Sequence, residues 1–172
     1  MPDKPKYLLR ATEIERAGGT FSHPWNPNSE ITGAFLARAT GMKRTGVNLA
    51  RIKPCKESFV PHAHEREEEW IYILSGRAKA LVGDEEVDVG PGDFLGFAAP
   101  QIAHHLKNPG PDDLVYLMGG ENAEYDAVDF PEHKKRLVRI GRDSRVYEAG
   151  SDDPSGHPDA EASAAARKQQ KE

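Results

Sequence analysis

From Thr45 onward the chain is cut into short apolar runs about 8 to 12 residues apart, with turn formers between them. Gly46 to Ile52, Val60 to His64, Glu69 to Ser75, Arg77 to Val82, Glu86 to Val89, Phe94 to Phe97, Ala103 to Lys107 and Leu114 to Met118 each read as a strand. Gly83-Asp84, Gly90-Pro91-Gly92-Asp93 and Asn108-Pro109-Gly110-Pro111 supply the turns. No amphipathic helix interrupts the series, so parallel pairing through helical crossovers is excluded and an antiparallel, all-β sandwich or barrel is expected.

The flanks differ from this middle section. Residues 1–45 have no strong periodicity and are read as an N-terminal arm, rich in breakers such as Gly18-Gly19 and His23-Pro24-Trp25-Asn26-Pro27. Trp25, set among prolines, is expected to cap something rather than join a regular element. Ile31 to Thr40 fits a short helix or a strand equally well. Residues 46–150 are assigned to the barrel, with one further strand at Arg136 to Ile140 on a sheet edge. Residues 151–172 turn to Ser, Asp, Pro, Ala, Glu, Lys and Gln without an apolar face, the composition of a mobile tail.

Charge and cysteine content narrow the function classes. The 172 residues carry 23 basic and 28 acidic side chains, a net charge of −5, and no basic block that would suit nucleic acid. No apolar run approaches the roughly 18 residues that span a bilayer, and the N-terminus shows no export signature. The single cysteine, Cys55, excludes an internal disulfide. Together these predict a cytoplasmic protein that works on a small molecule. Open barrel edges and the N-terminal arm predict a homodimer.

The chemistry is concentrated in Pro61 to Gly76. Side chains two apart on a strand share a face, so His62 and His64 point the same way, as two imidazoles on one metal ion must. Glu65, Glu67, Glu68 and Glu69 follow, and on chemistry alone Glu67, Glu68 or Glu69 can serve as a ligand. A further pair, His104-His105, stands about 40 residues on, far enough for two hairpins to intervene. Strand alternation lets only one of the two face inward.

These two stretches resemble the two motifs of the cupin superfamily, whose fold is a double-stranded β-helix, or jelly-roll barrel. The first is similar to His-x-His, a short spacer, Glu, six residues and Gly, here His62, His64, Glu69 and Gly76. The second is similar to a Pro/Gly turn followed by His, three residues and Asn, here His104 and Asn108. The chain departs from the pattern at Lys56, where glycine is usual, and at Ala98-Ala99-Pro100, where Pro-x-Gly is usual. The resemblance implies a divalent transition metal (Fe, Mn, Ni, Cu or Zn) held by His62, His64, Glu69 and His104.

Such a mixed nitrogen and oxygen set suits several metals and leaves room for a substrate. The resemblance therefore implies a metal-dependent enzyme for a small polar organic molecule, of dioxygenase, isomerase or lyase type. The alternative is a barrel that binds or senses a small molecule or metal without turning it over. An extra acid–base group beside the metal separates the two, and Tyr72 and Tyr116 are the candidates. The remaining acids, Glu65, Glu67 and Glu68, are expected to form a solvated turn.

Overall fold

The computed structural model describes residues 7–149. Helix α1 (Ala11–Ala17) leads into strands β1 (Gly19–Phe21) and β2 (Ile31–Phe35), a one-turn helix α2 (Leu36–Ala39) and β3 (Thr45–Ile52). Next come β4 (Ala63–His64), β5 (Glu69–Ser75), β6 (Ala78–Val82), β7 (Glu85–Val89), β8 (Phe94–Phe97) and β9 (His104–Lys107). The last four are β10 (Leu114–Glu121), β11 (Tyr125–Phe130), β12 (Lys135–Ile140) and β13 (Asp143–Glu148). The strands of the described residues pair as β1-β2-β3-β10-β5-β8, β13-β12-β11-β4 and β7-β6-β9, antiparallel at every pairing of these strands. This is the all-β jelly-roll architecture that the strand series predicts.

Period-two alternation decides what lies inside. In β5, Ile71 and Ile73 are buried while Tyr72 and Leu74 are 39% and 43% exposed on the outer face. Ala50 and Ile52 of β3, Ala80 of β6, Leu106 of β9 and Leu114 and Tyr116 of β10 meet them in one core. Each large apolar side chain removed from water contributes roughly 1.5–3 kcal/mol, and this core holds the strands at fixed separations. A smaller cluster of Val60, Val128 and Phe130 lies beside it, with Trp25 packed edge-on against Phe130 at 5.1 Å between ring centroids. Trp25 is thus the cap that its proline-rich setting suggests.

The region read as an arm also contributes strands. Ile31 to Thr40 resolves into both alternatives in succession, strand β2 and then helix α2. β2 pairs with β3 from Ile31↔Ile52 to Phe35↔Asn48, so this segment extends the main sheet. At the other end, the Arg136 to Ile140 strand is internal rather than an edge, because Asp143–Glu148 forms β13 alongside it. Every residue of β13 is exposed, so it has no buried face to leave an apolar alternation in the sequence. The expected tail at 151–172 lies outside the described residues. No helix among the described residues is long and apolar enough to cross a membrane.

Gly76, which ends β5, combines two constraints. Its φ is +80°, and a Cβ there would sit 2.4 Å from the Asp113 carbonyl oxygen. Gly141 also has positive φ, +59°, but open space where its Cβ would be. Gly141→Ala is therefore expected to show only the left-handed backbone penalty of about 1 kcal/mol, and Gly76→Ala clearly more. Urea denaturation of both variants checks this, and equal losses would refute the close-packing argument.

Candidate metal centre

Antiparallel closure brings together residues that are distant in sequence. His62 and His104 form an isolated bridge, with His104 N–H donating to the His62 carbonyl at 2.9 Å. His64 lies in β4, one side-chain period on from His62, and Glu69 opens β5. The Nε2 atoms of His62, His64 and His104 lie 3.8, 3.4 and 3.5 Å from one oxygen, Glu69 Oε2. His62, Glu69 and His104 form one tight cluster, and His64 approaches the same Glu69 oxygen from outside it, grouping instead with Glu67 and Asp126. Strand alternation does not bury only one of the adjacent pair: His105 is as buried as His104 and also lines the cavity, with its Nδ1 unpartnered, but of the two only His104 clusters with Glu69 and His62.

The backbone sets the protonation of these rings. His62 Nδ1 lies 3.0 Å from the Val60 carbonyl and His104 Nδ1 3.1 Å from the Ile102 carbonyl. A carbonyl only accepts, so each Nδ1 carries the hydrogen and each Nε2 presents a lone pair. His64 Nδ1 donates to Asp126 Oδ2 at 2.6 Å with the same result. Phe97 stacks on the His104 ring at 3.5 Å and 7° and fixes its plane.

Asp126 escapes sequence reading. It sits in β11, 62 residues after His64, and is 0% exposed. Its other oxygen accepts the backbone N–H groups of Arg66 and Glu67. Glu67, expected in a solvated turn, is instead buried: it pairs with Arg139 and accepts the Ala123 N–H at 2.7 Å. The charge of Arg139 makes this burial tolerable. Only the pairing of β4 with β11 and of β11 with β12 assembles these groups, and no local motif signals that. His64, Glu67 and Asp126 form a second tight cluster, but their contacts with Arg139 and the backbone make it a support for His64. Carboxylates behind a metal-binding imidazole commonly act in this way.

A divalent cation fits the primary cluster. Glu69 Oε2 is buried without a hydrogen-bond partner, facing three imidazole lone pairs that also accept rather than donate. A cation held by His62, Glu69 and His104 would satisfy that oxygen, with the His64 lone pair directed at the same carboxylate. Gly120 pairs with Glu69 on the next strand, and a Cβ there would come within 3.0 Å of Glu69 Cγ, so the glycine keeps room for that side chain. Burial and the charge of His104 push the His62 imidazole from its ordinary 6.5 down to about 4. Burial alone would raise the Glu69 carboxyl, but the imidazoles of His104, His64 and His62 outweigh it and hold the group below its usual value. His62 and Glu69 therefore favour the deprotonated forms that a metal requires.

His62, Glu69 and His104 open onto a cavity of about 200 Å³, walled by Ile71, Tyr116 and Met118 among others. Tyr116 is 1% exposed, and its hydroxyl has no hydrogen-bond partner. Burial raises that phenol above its ordinary value. Tyr72 lies on the outer face of β5, away from the cavity. Asn108 holds the β9–β10 turn, donating to the Ile52 and Asp112 carbonyls and accepting the Gly110 N–H.

Residues 48–120 match the model of the Cupin domain family. Among solved structures, the chain is 36% identical, with a TM-score of 0.78, to a protein from Acidithiobacillus ferrooxidans provisionally named a sugar phosphate isomerase. That match covers 82% of this chain and 91% of the other. A cupin-superfamily sugar phosphate isomerase from Silicibacter pomeroyi aligns at 20% identity and TM-score 0.74, covering 84% and 94% of the two chains. A polyketide cyclase from Streptomyces resistomycificus aligns at 19% and 0.57, covering 67% and 79%. The last two likenesses concern the fold alone. No curated protein matches the chain.

The lowered His62 value ties stability to pH in the metal-free protein. Well above pH 6.5 the group is neutral whether folded or unfolded and has no effect. Between 6.5 and about 4 the unfolded chain takes up a proton that the folded site refuses, so stability falls as pH falls. Between pH 7 and pH 4.5 the drop attributable to His62 is about 2 kcal/mol. Urea melts of chelator-treated protein at pH 7 and pH 4.5 should show it, and His62→Gln should flatten it. An equal slope in the variant would refute the assignment.

Proposed function

The chain belongs to the cupin superfamily, and on that premise we propose that it is a metal-dependent enzyme of isomerase type acting on a small, oxygen-rich organic molecule. The observation that carries this reading is the convergence of three Nε2 atoms on the buried, unpartnered Oε2 of Glu69. His62, His64, Glu69 and His104 would hold one divalent transition metal, with Fe, Mn, Ni, Cu and Zn all compatible with the donors. When bound, the metal supplies Lewis acidity that polarises a substrate carbonyl and acidifies its neighbouring positions.

The chain's own residues do the rest. Asp126 keeps the His64 lone pair directed at the centre. Ile71, Leu106 and Met118 exclude water from the cavity wall. Tyr116 keeps its proton, because burial raises its phenol, and so acts as a hydrogen-bond donor to a substrate oxygen rather than as a base. A proton-bearing group inside the metal cavity supports an enzyme over a binding or sensing module, which needs no such donor. Among the reaction types, the relative at 36% identity favours isomerisation.

Elemental analysis of protein purified without added metal should find close to one transition-metal ion per chain. The His62→Ala/His64→Ala double variant should lose it, and normal metal content in that variant would overturn the reading. Tyr116→Phe should retain the metal and the fold. In a screen of small hydroxy-carbonyl compounds on metal-loaded protein, it should turn over roughly 10- to 100-fold more slowly. Unchanged turnover would remove Tyr116 from the reaction.

A further inference from the structure

We propose that the substrate carries a phosphate ester and that Arg38, Lys43 and Arg142 hold it at the rim of the metal cavity. The proposal rests on reading that cavity as the substrate site. The three side chains line one open depression that shares Gly46, Asn48 and Glu121 with the cavity. The start of β3 and the end of β10 therefore form a common wall between them.

The cations come from three separate segments: Arg38 from α2, Lys43 from the loop between α2 and β3, and Arg142 from the turn between β12 and β13. None of them has an ion-pair partner among the described residues. Several other cations of this acidic chain stand on carboxylates, among them Arg51 on Asp113, Lys79 on Asp88, Arg136 on Asp129 and Arg139 on Glu67, whereas Arg44, Arg66, Arg77 and Lys107 have no ion pair among the described residues either. What sets Arg38, Lys43 and Arg142 apart is the one depression they share beside the cavity. The one carboxylate on the rim is Glu121, whose Oε2 accepts the Glu68 N–H at 3.3 Å. Three cations against one carboxylate leave a local excess of two positive charges, the complement of a phosphate monoester dianion. A substrate with a single carboxylate would leave the excess half compensated.

The rim is held in shape before any ligand arrives. Asn122 donates from Nδ2 to the Lys43 carbonyl at 2.6 Å and from its backbone N–H to the Arg44 carbonyl at 3.0 Å. Met42 N–H donates to Ala37 at 2.9 Å and closes the turn after α2. The cavity itself is lined by no lysine or arginine. An anionic group thus finds its protein cations only at the rim, with the oxygen-bearing remainder of the molecule directed inward past Asn48.

The test uses the full chain and inorganic phosphate, glycerol phosphate and glycerol as probes. Calorimetry on metal-loaded protein should show binding of both phosphates and none of glycerol, weakening as salt is raised. The Arg38→Ala/Lys43→Ala/Arg142→Ala variant changes only exposed side chains. It should keep its metal content and lose at least about tenfold in phosphate affinity, while Arg51→Ala binds like the parent. With Mn(II) loaded, ³¹P relaxation should place phosphate near the metal but outside its direct coordination. Unchanged affinity in the triple variant, direct metal coordination of phosphate, or no binding at about 10 mM each overturns the proposal. Calorimetry on chelator-treated protein separates the two readings. Phosphate binding without any metal uptake sinks the metal assignment alone, and metal uptake without phosphate binding sinks the rim alone.

Discussion

Three imidazole lone pairs and one carboxylate oxygen are directed at a single point, and much of the structure can be understood as what holds them there. Left to themselves these atoms would turn to water, because each is an acceptor facing other acceptors. The His62–His104 bridge fixes the separation of two rings through the backbone, and the carbonyls of Val60 and Ile102 fix their tautomers. The third ring is fixed by Asp126, a buried carboxylate satisfied on its other side by backbone N–H groups. An unmet buried acceptor costs about 1–3 kcal/mol, so such a cluster persists only where the surrounding packing is strong enough to impose it. The apolar core of β3, β5, β9 and β10 supplies that packing directly beneath the site.

How much of this can be read from the amino-acid order depends on the range of the interaction. Strand alternation is local, so the eight runs between Gly46 and Met118 are legible, as is the shared face of His62 and His64. Glu69 and His104 stand out from their neighbours only through the resemblance to the cupin motifs, since chemistry alone leaves Glu67, Glu68 and His105 open. Asp126 and Arg139 do not stand out, because their partners lie some 60 to 70 residues away and nothing in their neighbourhoods marks them as buried. The misreading of Glu67 has the same origin. In a run of four glutamates within five residues, the one that is buried is chosen by an arginine two strands over. β13 was illegible for the opposite reason: its pairing is entirely backbone, and its side chains leave no pattern.

The division between inner and outer faces of β5 also explains why one tyrosine is a functional candidate and another is not. Tyr72 and Tyr116 are chemically identical, and sequence gives no reason to choose. Tyr72 alternates with Ile71 and Ile73 and so must face outward when they face the core. Tyr116 shares its face with Leu114 and Met118 and must face inward. Register across the β5–β10 pairing, including the bulge at Val115/Tyr116, then sets Tyr116 opposite Ile73, two steps along the same inner face from Glu69. Alternation alone therefore converts an ambiguous pair into one buried phenol with an unspent hydrogen bond.

The same geometry assigns different tasks to different depths. Inside the barrel the dielectric is low, so neutral imidazoles, a protonated phenol and one carboxylate are the groups that can be kept there without counter-ions. A lysine or arginine placed among the ligands would repel the metal and demand a partner of its own. Positive charge intended for a substrate therefore belongs at the rim, where water shares the cost of leaving it unpaired. β3 and β10 run from the core out to that rim, and Gly46 and Asn48 of the first half of β3 and Glu121 at the end of β10 wall both compartments. On the proposed reading, a ligand with a dianionic end and an oxygen-rich end would span the two in only one direction, with its oxygen-rich end toward His62, Glu69 and His104.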